Sequence, residues 1–231
     1  NAISTVNTNL IEGALIVVFI LVIFLGNLRA GLLVASVIPL SLLFAVIMMN
    51  TFGVSGNLMS LGALDFGLIV DGAIIIVEAV MYNLHHHQGT PLRILNQNEM
   101  NSEVNKAASK MMNSAVFGQM VILIVYIPIF SLQGIEGKMF KPMAQTVTFS
   151  LIGAFILSLT YIPMMSSVVL SKTQGTSLNL ADRIMHRVEN FYSLSLNFLL
   201  QFPKIILTIT SLVFLFALRS LSRLGGEFIP A

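Results

Sequence analysis

Long apolar runs, separated by short polar segments, make up most of the sequence. Six of these runs reach about 20 residues, which is the length of an α-helix that crosses a lipid bilayer. The pattern therefore predicts an all-α integral membrane fold, a six-helix transmembrane bundle. Pro39 is expected to kink the second helix. The predicted spans are residues 10–26, 30–50, 57–84, 104–130, 142–170 and 203–224.

The composition supports a membrane protein and excludes several other classes. Of the 231 residues, 56% are hydrophobic and only 10% are charged, whereas soluble domains carry about 25% charged residues. The formal net charge is +2, and no basic cluster is present that could bind nucleic acid. The absence of cysteine excludes disulfides and thiolate metal sites.

The third predicted span carries three carboxylates, Asp65, Asp71 and Glu78. An acid at bilayer depth costs about 2.5–3.5 kcal/mol on insertion scales. A helix that served only as a membrane anchor would therefore not carry three acidic residues. Intramembrane acids usually face a bundle interior or a wet cavity and mark ion or proton paths. Counted from Asn57, the three acids lie about 12, 21 and 31 Å along the helix and form a ladder across the membrane. Asp71 and Glu78 lie within about 20° of one face, and Asp65 points about 120° away from Asp71.

Glycine recurs every five residues in this span, at Gly62, Gly67 and Gly72. Glycines at such positions let neighbouring helices approach closely in a membrane. We assign most of these glycines to helix packing.

Between the fifth and sixth spans, residues 178–200 mix charged and apolar positions at helical spacing. Two interpretations stay open here: an amphipathic helix on the membrane surface, or a short soluble helix packed on the bundle. The predicted organisation is five spans in residues 1–171, a cytoplasmic linker with this helix in 172–202, and the last span with the start of a further segment in 203–231.

The distribution of lysine and arginine predicts the orientation, because cytoplasmic loops carry the excess of these residues. One side of the membrane receives eight lysine and arginine residues, and the other side receives four. The side with eight is predicted to be cytoplasmic, and both chain ends are predicted to lie on the opposite, external side. The eight are Arg29, Arg93, Lys106, Lys110, Lys172, Arg183, Arg187 and Lys204, and the four are Lys138, Lys141, Arg219 and Arg223. Because the chain begins at Asn1 without an initiator Met or a signal peptide, we expect it to be a fragment of a longer protein.

Other chemistries fit the sequence less well. An intramembrane aspartyl protease needs two acids that share a proton at close range, whereas Asp65 and Asp71 lie on different faces of one helix. A membrane scaffold leaves the buried acids unexplained. The run His85–His87 favours a solvated loop over a metal site, because three consecutive helical residues point in three directions.

The stretch from Asp65 to Glu78 reads DFGLIVDGAIIIVE and resembles the resistance-nodulation-division (RND) efflux pumps. It is similar to their heavy-metal branch, the cobalt–zinc–cadmium and copper–silver exporters, which carries DFG-x3-DGA-x4-E in its fourth transmembrane helix. Gly67, Gly72 and Ala73 belong to this motif. Residues 24–30, 57–64, 132–140 and 225–230 resemble flanking segments of the family, whereas residues 85–103 and 172–200 match it poorly.

The resemblance implies that the chain is helices two to seven of a twelve-helix protomer. It implies a multi-pass transporter of the bacterial inner membrane, not an enzyme, that exports metal cations in exchange for protons. Asp65, Asp71 and Glu78 would be the proton or cation relay, with Asp71 central. The expected partners are lipid, two further copies in a homotrimer, a periplasmic adaptor and an outer-membrane channel. No resident cofactor or bound metal is expected in this segment, because the proton is the coupling ion and the metal cation is the substrate.

The motif favours divalent zinc, cobalt, nickel or cadmium over monovalent copper or silver as the substrate. An RND relative that exports organic compounds is the alternative. It would carry an Asp-Asp pair in this helix without the later Glu78, so the sequence disfavours it.

Overall fold

The computed structural model describes residues 2–54, 66–85, 93–171, 173–174 and 180–221, and the described chain is almost entirely α-helical. It forms two compact units, residues 1–181 and 182–231. The elements in chain order are α1 (Ala2–Leu25), α2 (Leu28–Ala35), α3 (Val37–Phe52), α4 (Phe66–His85), β1 (Arg93–Ile94), α5 (Gln97–Phe130), α6 (Gly134–Leu159), α7 (Tyr161–Val169), β2 (Thr173–Gln174), α8 (Leu180–Gln201) and α9 (Pro203–Leu221).

The all-α membrane fold is confirmed. Within the described residues, five helical stretches are long and apolar enough to cross a membrane, and α1 carries a shorter apolar stretch, Ile11–Leu25. The five stretches are Leu28–Phe52, Phe66–Leu84, Gln97–Phe130, Gly134–Leu159 and Pro203–Ser220. Helix α8 corresponds to the predicted amphipathic segment, and its charged positions alternate with apolar side chains such as Val188 and Phe191.

In the first unit, α4 contacts every other described helix from α1 to α7. Its side chains Ile69, Ile76 and Val77 are at most 1% exposed. Around it, α3 packs along α6 and α2 packs on α7. Because lipid is as apolar as the helix surfaces, close packing rather than the hydrophobic effect holds such helices together.

Two pairs of consecutive helices are separated by a break that lies three residues before a proline. Helix α2 gives way to α3 at Ser36, three residues before Pro39, and α6 gives way to α7 at Thr160, three residues before Pro163. Proline has no N–H to donate to the carbonyl four residues earlier and its ring crowds that carbonyl, which breaks the helix there. The predicted kink at Pro39 is therefore present as a break. Ser36 Oγ and Tyr161 Oη lie 3.1 Å apart and form a hydrogen bond between the two breaks.

Three helices begin earlier than the apolar runs predicted. Helix α1 begins at Ala2 rather than residue 10, α5 at Gln97 rather than Val104, and α6 at Gly134 rather than Pro142. The predicted starts of these three helices are therefore wrong. The physical reason is that a helix can continue beyond the bilayer as long as its end is capped, and hydropathy reports only the part inside.

The start of α5 is fixed by a capping box at Asn96. The Asn96 side chain accepts a hydrogen bond from Gln97 N at 2.7 Å, and Asn96 N donates to Glu99 Oε2 at 2.9 Å. These two bonds satisfy N–H groups that have no partner within the helix. This capping pattern was present in the sequence and was missed.

Replacing Asn96 by alanine is expected to lower the free energy of unfolding by about 1 kcal/mol, because the cap is lost. The measurement is reversible unfolding of the purified protein by sodium dodecyl sulfate in mixed micelles. Asn98→Ala, an exposed position two residues further along the same helix, is the matched control. Equal stabilities of the two variants would contradict a capping role.

A small antiparallel ladder, which the sequence did not predict, pairs the segment before α5 with the segment after α7. Arg93 pairs with Gln174 and Ile94 with Thr173. Gln97 Nε2 also donates to Ser167 O at 3.1 Å. The start of α5 is thus attached to the end of α7 by backbone and side-chain bonds.

Candidate functional site: an acidic stripe on the central helix

Although α4 is the most widely contacted helix of its unit, one stripe of its surface is open. The side chains of Asp71, Glu78 and Tyr82 are exposed and that of Ile75 is half-buried, whereas the opposite faces of the helix are buried. Spacings of four, three and four residues place these positions on one side of a helix. We call residues 71, 75, 78 and 82 the acidic stripe.

The acidic stripe contains two of the three acids of the motif. Asp71 and Glu78 are seven residues apart, which corresponds to about 10.5 Å along the helix axis. They share one face but do not form a single cluster. Asp65 lies outside the described residues.

The motif residues beside Asp71 lie at contacts between α4 and its neighbours. Gly67 is half-buried, and Ala73 is 0% exposed. At Gly72, a Cβ atom would overlap Gln119 Nε2 of α5, and it would lie 2.8 Å from Gln119 Cδ and 3.1 Å from Ser158 Oγ of α6. Any side chain larger than hydrogen at residue 72 would therefore displace α5 or α6 side chains.

Gln119 is a polar residue of this region that sequence reasoning missed. It is 6% exposed, and neither Oε1 nor Nε2 has a hydrogen-bond partner within the described chain. An amide buried without partners costs about 1–3 kcal/mol in proteins. A signal was available, because Gln119 is a polar residue inside an otherwise apolar run from residue 115 to 130.

A second polar contact ties the far end of α4 to α5. Asn83 Nδ2 donates to Glu103 Oε2 at 2.8 Å, and Lys106 Nζ donates to Glu103 Oε1 at 2.9 Å. The Glu103 side chain is 15% exposed and that of Lys106 is 67% exposed. Glu103 thus accepts both hydrogen bonds and holds the end of α4 against α5.

No group of three His, Asp or Glu side chains that could hold a metal ion occurs among the described residues. His85 is the last residue of α4, whereas His86 and His87 lie outside the described part of the chain. The polar groups of this region are therefore carboxylates and amides, which lie among apolar side chains.

A family profile described as "AcrB/AcrD/AcrF family" matches residues 1–231, which is the whole chain. The chain belongs to the AcrB/AcrD/AcrF family. Within this family, its curated relatives include proteins named for heavy-metal resistance and efflux, so the resemblance to the heavy-metal RND branch is confirmed.

Three curated relatives illustrate the similarity. The cobalt-zinc-cadmium resistance protein CzcA of Cupriavidus metallidurans is 44% identical over 99% of this chain and 21% of its own length. The nickel and cobalt resistance protein CnrA of the same organism is 53% identical over 74% of this chain and 16% of its own length. The cation efflux system protein CusA of Escherichia coli K12 is 33% identical over 99% of this chain and 22% of its own length.

The chain is also similar to solved structures of a heavy metal efflux pump. A crystal structure of a heavy metal efflux pump is 42% identical, with a TM-score of 0.58, and covers 70% of this chain and 15% of that one. A second crystal form gives a TM-score of 0.59 at 40% identity. CzcA and CusA match this chain along 99% of its length. The chain spans only about a fifth of the length of these relatives.

Proposed function

We propose that this chain is the transmembrane part of a proton-driven pump that exports heavy-metal cations from a bacterial cell. The observation that carries the proposal is the acidic stripe: Asp71 and Glu78 share one open face of an otherwise apolar helix of membrane length. Similarity to proteins named for cobalt, zinc, cadmium and nickel resistance supports divalent cations as the substrate class.

The mechanism we propose begins with a proton at Asp71. The carboxylate of Asp71 takes up a proton from the external side, which removes one negative charge from a low-dielectric site and weakens its attraction to polar or basic groups opposite. Asp65 and Glu78 are the other members of the relay. The relief of charge lets α4 shift, and release of the proton to the cytoplasm restores the charge and the original position.

The open face of α4 also supports a role for parts of the pump beyond this chain. Two carboxylates turned toward lipid would each cost about 2.5–3.5 kcal/mol, so the stripe faces protein or a water-filled cavity in the assembled pump. We propose that the second helical half of the protomer supplies that surface. The working assembly would be an inner-membrane homotrimer with a periplasmic adaptor and an outer-membrane channel.

Export of organic compounds by a related pump is the second candidate. It rests on the family profile, which is described as AcrB/AcrD/AcrF and names no metal. The presence of Glu78 in the stripe and the metal names of the relatives favour metal cations. A membrane scaffold that transports nothing would not explain why two carboxylates lie on the acidic stripe.

The complete pump, reconstituted in proteoliposomes with an imposed pH gradient, is expected to move Zn²⁺ in the direction opposite to protons. The measurement is metal flux with zinc, cobalt, nickel, cadmium and copper in separate runs, each with and without the gradient. Flux that is the same without the gradient would refute proton coupling. A failure to move any of the five metals, together with gradient-driven export of an organic cation, would favour the second candidate.

A further inference from the structure

A cavity lies at the short connection between α5 and α6. It has a volume of about 420 Å³ and is lined by residues 132–134, 137–138 and 141–142. Sites for small molecules usually measure about 300–1,000 Å³. Both helices are long and apolar enough to cross a membrane, so the connection between them lies at the membrane surface. The cavity can therefore be reached from water and from lipid.

The charged side chains that line this cavity are two lysines of α6. Lys138 and Lys141 are three residues apart, which makes them neighbours on the helix surface, where like charges repel. Within the part of the chain that the structure describes, neither lysine forms an ion pair or a side-chain hydrogen bond. Glu136 is exposed and is not part of the cavity wall. The cavity wall therefore carries positive charge that no described acid balances, and a bound anion would relieve the repulsion.

The Lys141 side chain is held at the cavity by its packing on Gly137. Lys141 is half-buried, and a Cβ atom at residue 137 would lie 3.7 Å from Lys141 Cε. The side chain therefore runs back over the glycine, toward the start of α6. The same Cβ atom would lie 2.5 Å from Leu132 O, so the first turns of α6 pack closely on the connection. A lysine near a helix end usually extends its charged group into water, whereas the stem of Lys141 forms part of the cavity wall.

Exposed apolar side chains lie beside the two lysines. Ile135 and Met139 are exposed on the same turns of α6, and Ile127 is exposed near the end of α5. A positive pocket next to an apolar surface at the membrane boundary matches the two parts of a phospholipid, its phosphate and its acyl chains. A soluble phosphate would use the lysines alone and leave the apolar side chains without a role. The observations therefore favour a lipid as the occupant.

We propose that this cavity binds the phosphate group of an anionic phospholipid. The phosphate lies between the ammonium groups of Lys138 and Lys141, because lysine binds phosphate as a point charge with several donors. The acyl chains run along the exposed apolar side chains of α5 and α6. The distribution of lysine and arginine along the chain predicts that this lipid belongs to the external leaflet. The site does not involve the acidic stripe, so lipid binding is expected to be unchanged in Asp71→Asn.

The test measures the acetylation rate of individual lysines in the complete pump, embedded in nanodiscs of phosphatidylcholine with increasing fractions of phosphatidylglycerol. Peptide mass spectrometry reports each lysine separately. Phosphatidylglycerol is expected to slow acetylation of Lys138 and Lys141 about tenfold, because a bound phosphate keeps an ammonium group protonated and shields it. Lys110 is the control, since it is exposed on α5 about 30 Å along the helix from the connection. Its rate should change less than twofold.

Two variants separate a built site from general surface charge. In Lys138→Gln, the fraction of phosphatidylglycerol that protects Lys141 by half should rise about fivefold, the contribution of one lysine near an anionic lipid. Lys138→Arg, which keeps the charge, should behave like the unmodified pump. Gln133→Phe narrows the cavity without changing the charge and should reduce the protection of both lysines. If Gln133→Phe does not assemble, Lys138→Gln, at an exposed position, carries the test by itself.

Each contrary result has a distinct meaning. Equal protection of Lys110 and the two cavity lysines, or protection of Lys141 that Lys138→Gln leaves unchanged, would overturn the site. Full protection in phosphatidylcholine alone would show that anionic charge is not required and would overturn the proposed lipid class. Protection by inorganic phosphate added to phosphatidylcholine nanodiscs, at the level that phosphatidylglycerol gives, would identify a soluble phosphate as the ligand and overturn the lipid.

Discussion

Replacing Asp71 by asparagine is expected to abolish gradient-driven metal transport, with a loss of about a hundredfold or more. Asparagine has nearly the shape of a protonated aspartate, but it cannot release or take up a proton. If the pump cycles by changing the charge of the acidic stripe, this variant stays permanently in the neutral state. The measurement is zinc flux in proteoliposomes with an imposed pH gradient, combined with a check that the assembly runs at its normal size in gel filtration.

Glu136→Gln is the matched control for this experiment. Glu136 is an exposed acid in the first turn of α6, away from the acidic stripe, so its loss removes one charge without touching the proposed relay. Asp71→Glu, which keeps a titratable carboxyl group, should recover part of the flux. Transport by Asp71→Asn at the rate of the unmodified pump would show that Asp71 has a structural role only.

Replacing Gly31 by alanine is expected to destabilise the bundle by about 2 kcal/mol. A Cβ atom at residue 31 would lie 2.6 Å from Val22 Cγ2, 2.9 Å from Val22 Cα and 3.1 Å from Val22 N. Because two of these atoms belong to the backbone, no side-chain rotation can relieve the overlap, and α1 must move away from α2. The measurement is the free energy of unfolding in mixed micelles of sodium dodecyl sulfate.

Gly118→Ala makes the same chemical change at a helical glycine where a Cβ atom would meet nothing within 4 Å. Alanine favours the helix over glycine by about 0.5–1 kcal/mol, so this variant should be as stable as the unmodified protein or slightly more stable. If the two variants lost stability equally, the close approach of α1 and α2 at Gly31 would not contribute to the stability of the bundle.

Hydropathy and composition were sufficient to predict the membrane helices, because the cost of burying charge in lipid is large compared with any local preference. The ends of the helices were harder to predict. The capping box at Asn96 extends α5 by seven residues before the predicted start at Val104, through a polar stretch that hydropathy left outside the predicted spans. Capping is a local hydrogen-bond effect of about 1 kcal/mol and leaves no trace in an average over apolar residues.

The burial of Gln119 could not be predicted from the sequence for a different reason. In a soluble helix, the buried face is apolar and the exposed face is polar, so the periodicity shows which side packs. In a membrane helix such as α5, the exposed side chains Phe117, Val121 and Ile124 are as apolar as the packed ones. The sequence therefore gives no indication of the side on which Gln119 lies. The motif acids were found because aspartate and glutamate are costly on either side of such a helix.

The hydrogen bond between Ser36 and Tyr161 has a mechanical consequence. Each broken helix can change its angle at the break at little cost, because the missing backbone bond is already lost. A bend at one break alone would separate Ser36 Oγ from Tyr161 Oη, which are now 3.1 Å apart. Since α2 packs on α7 and α3 packs along α6, the two bends are expected to occur together. The two breaks then act as one hinge at Ser36 and Thr160, about which the α2–α7 pair can rotate as a single body against the α3–α6 pair.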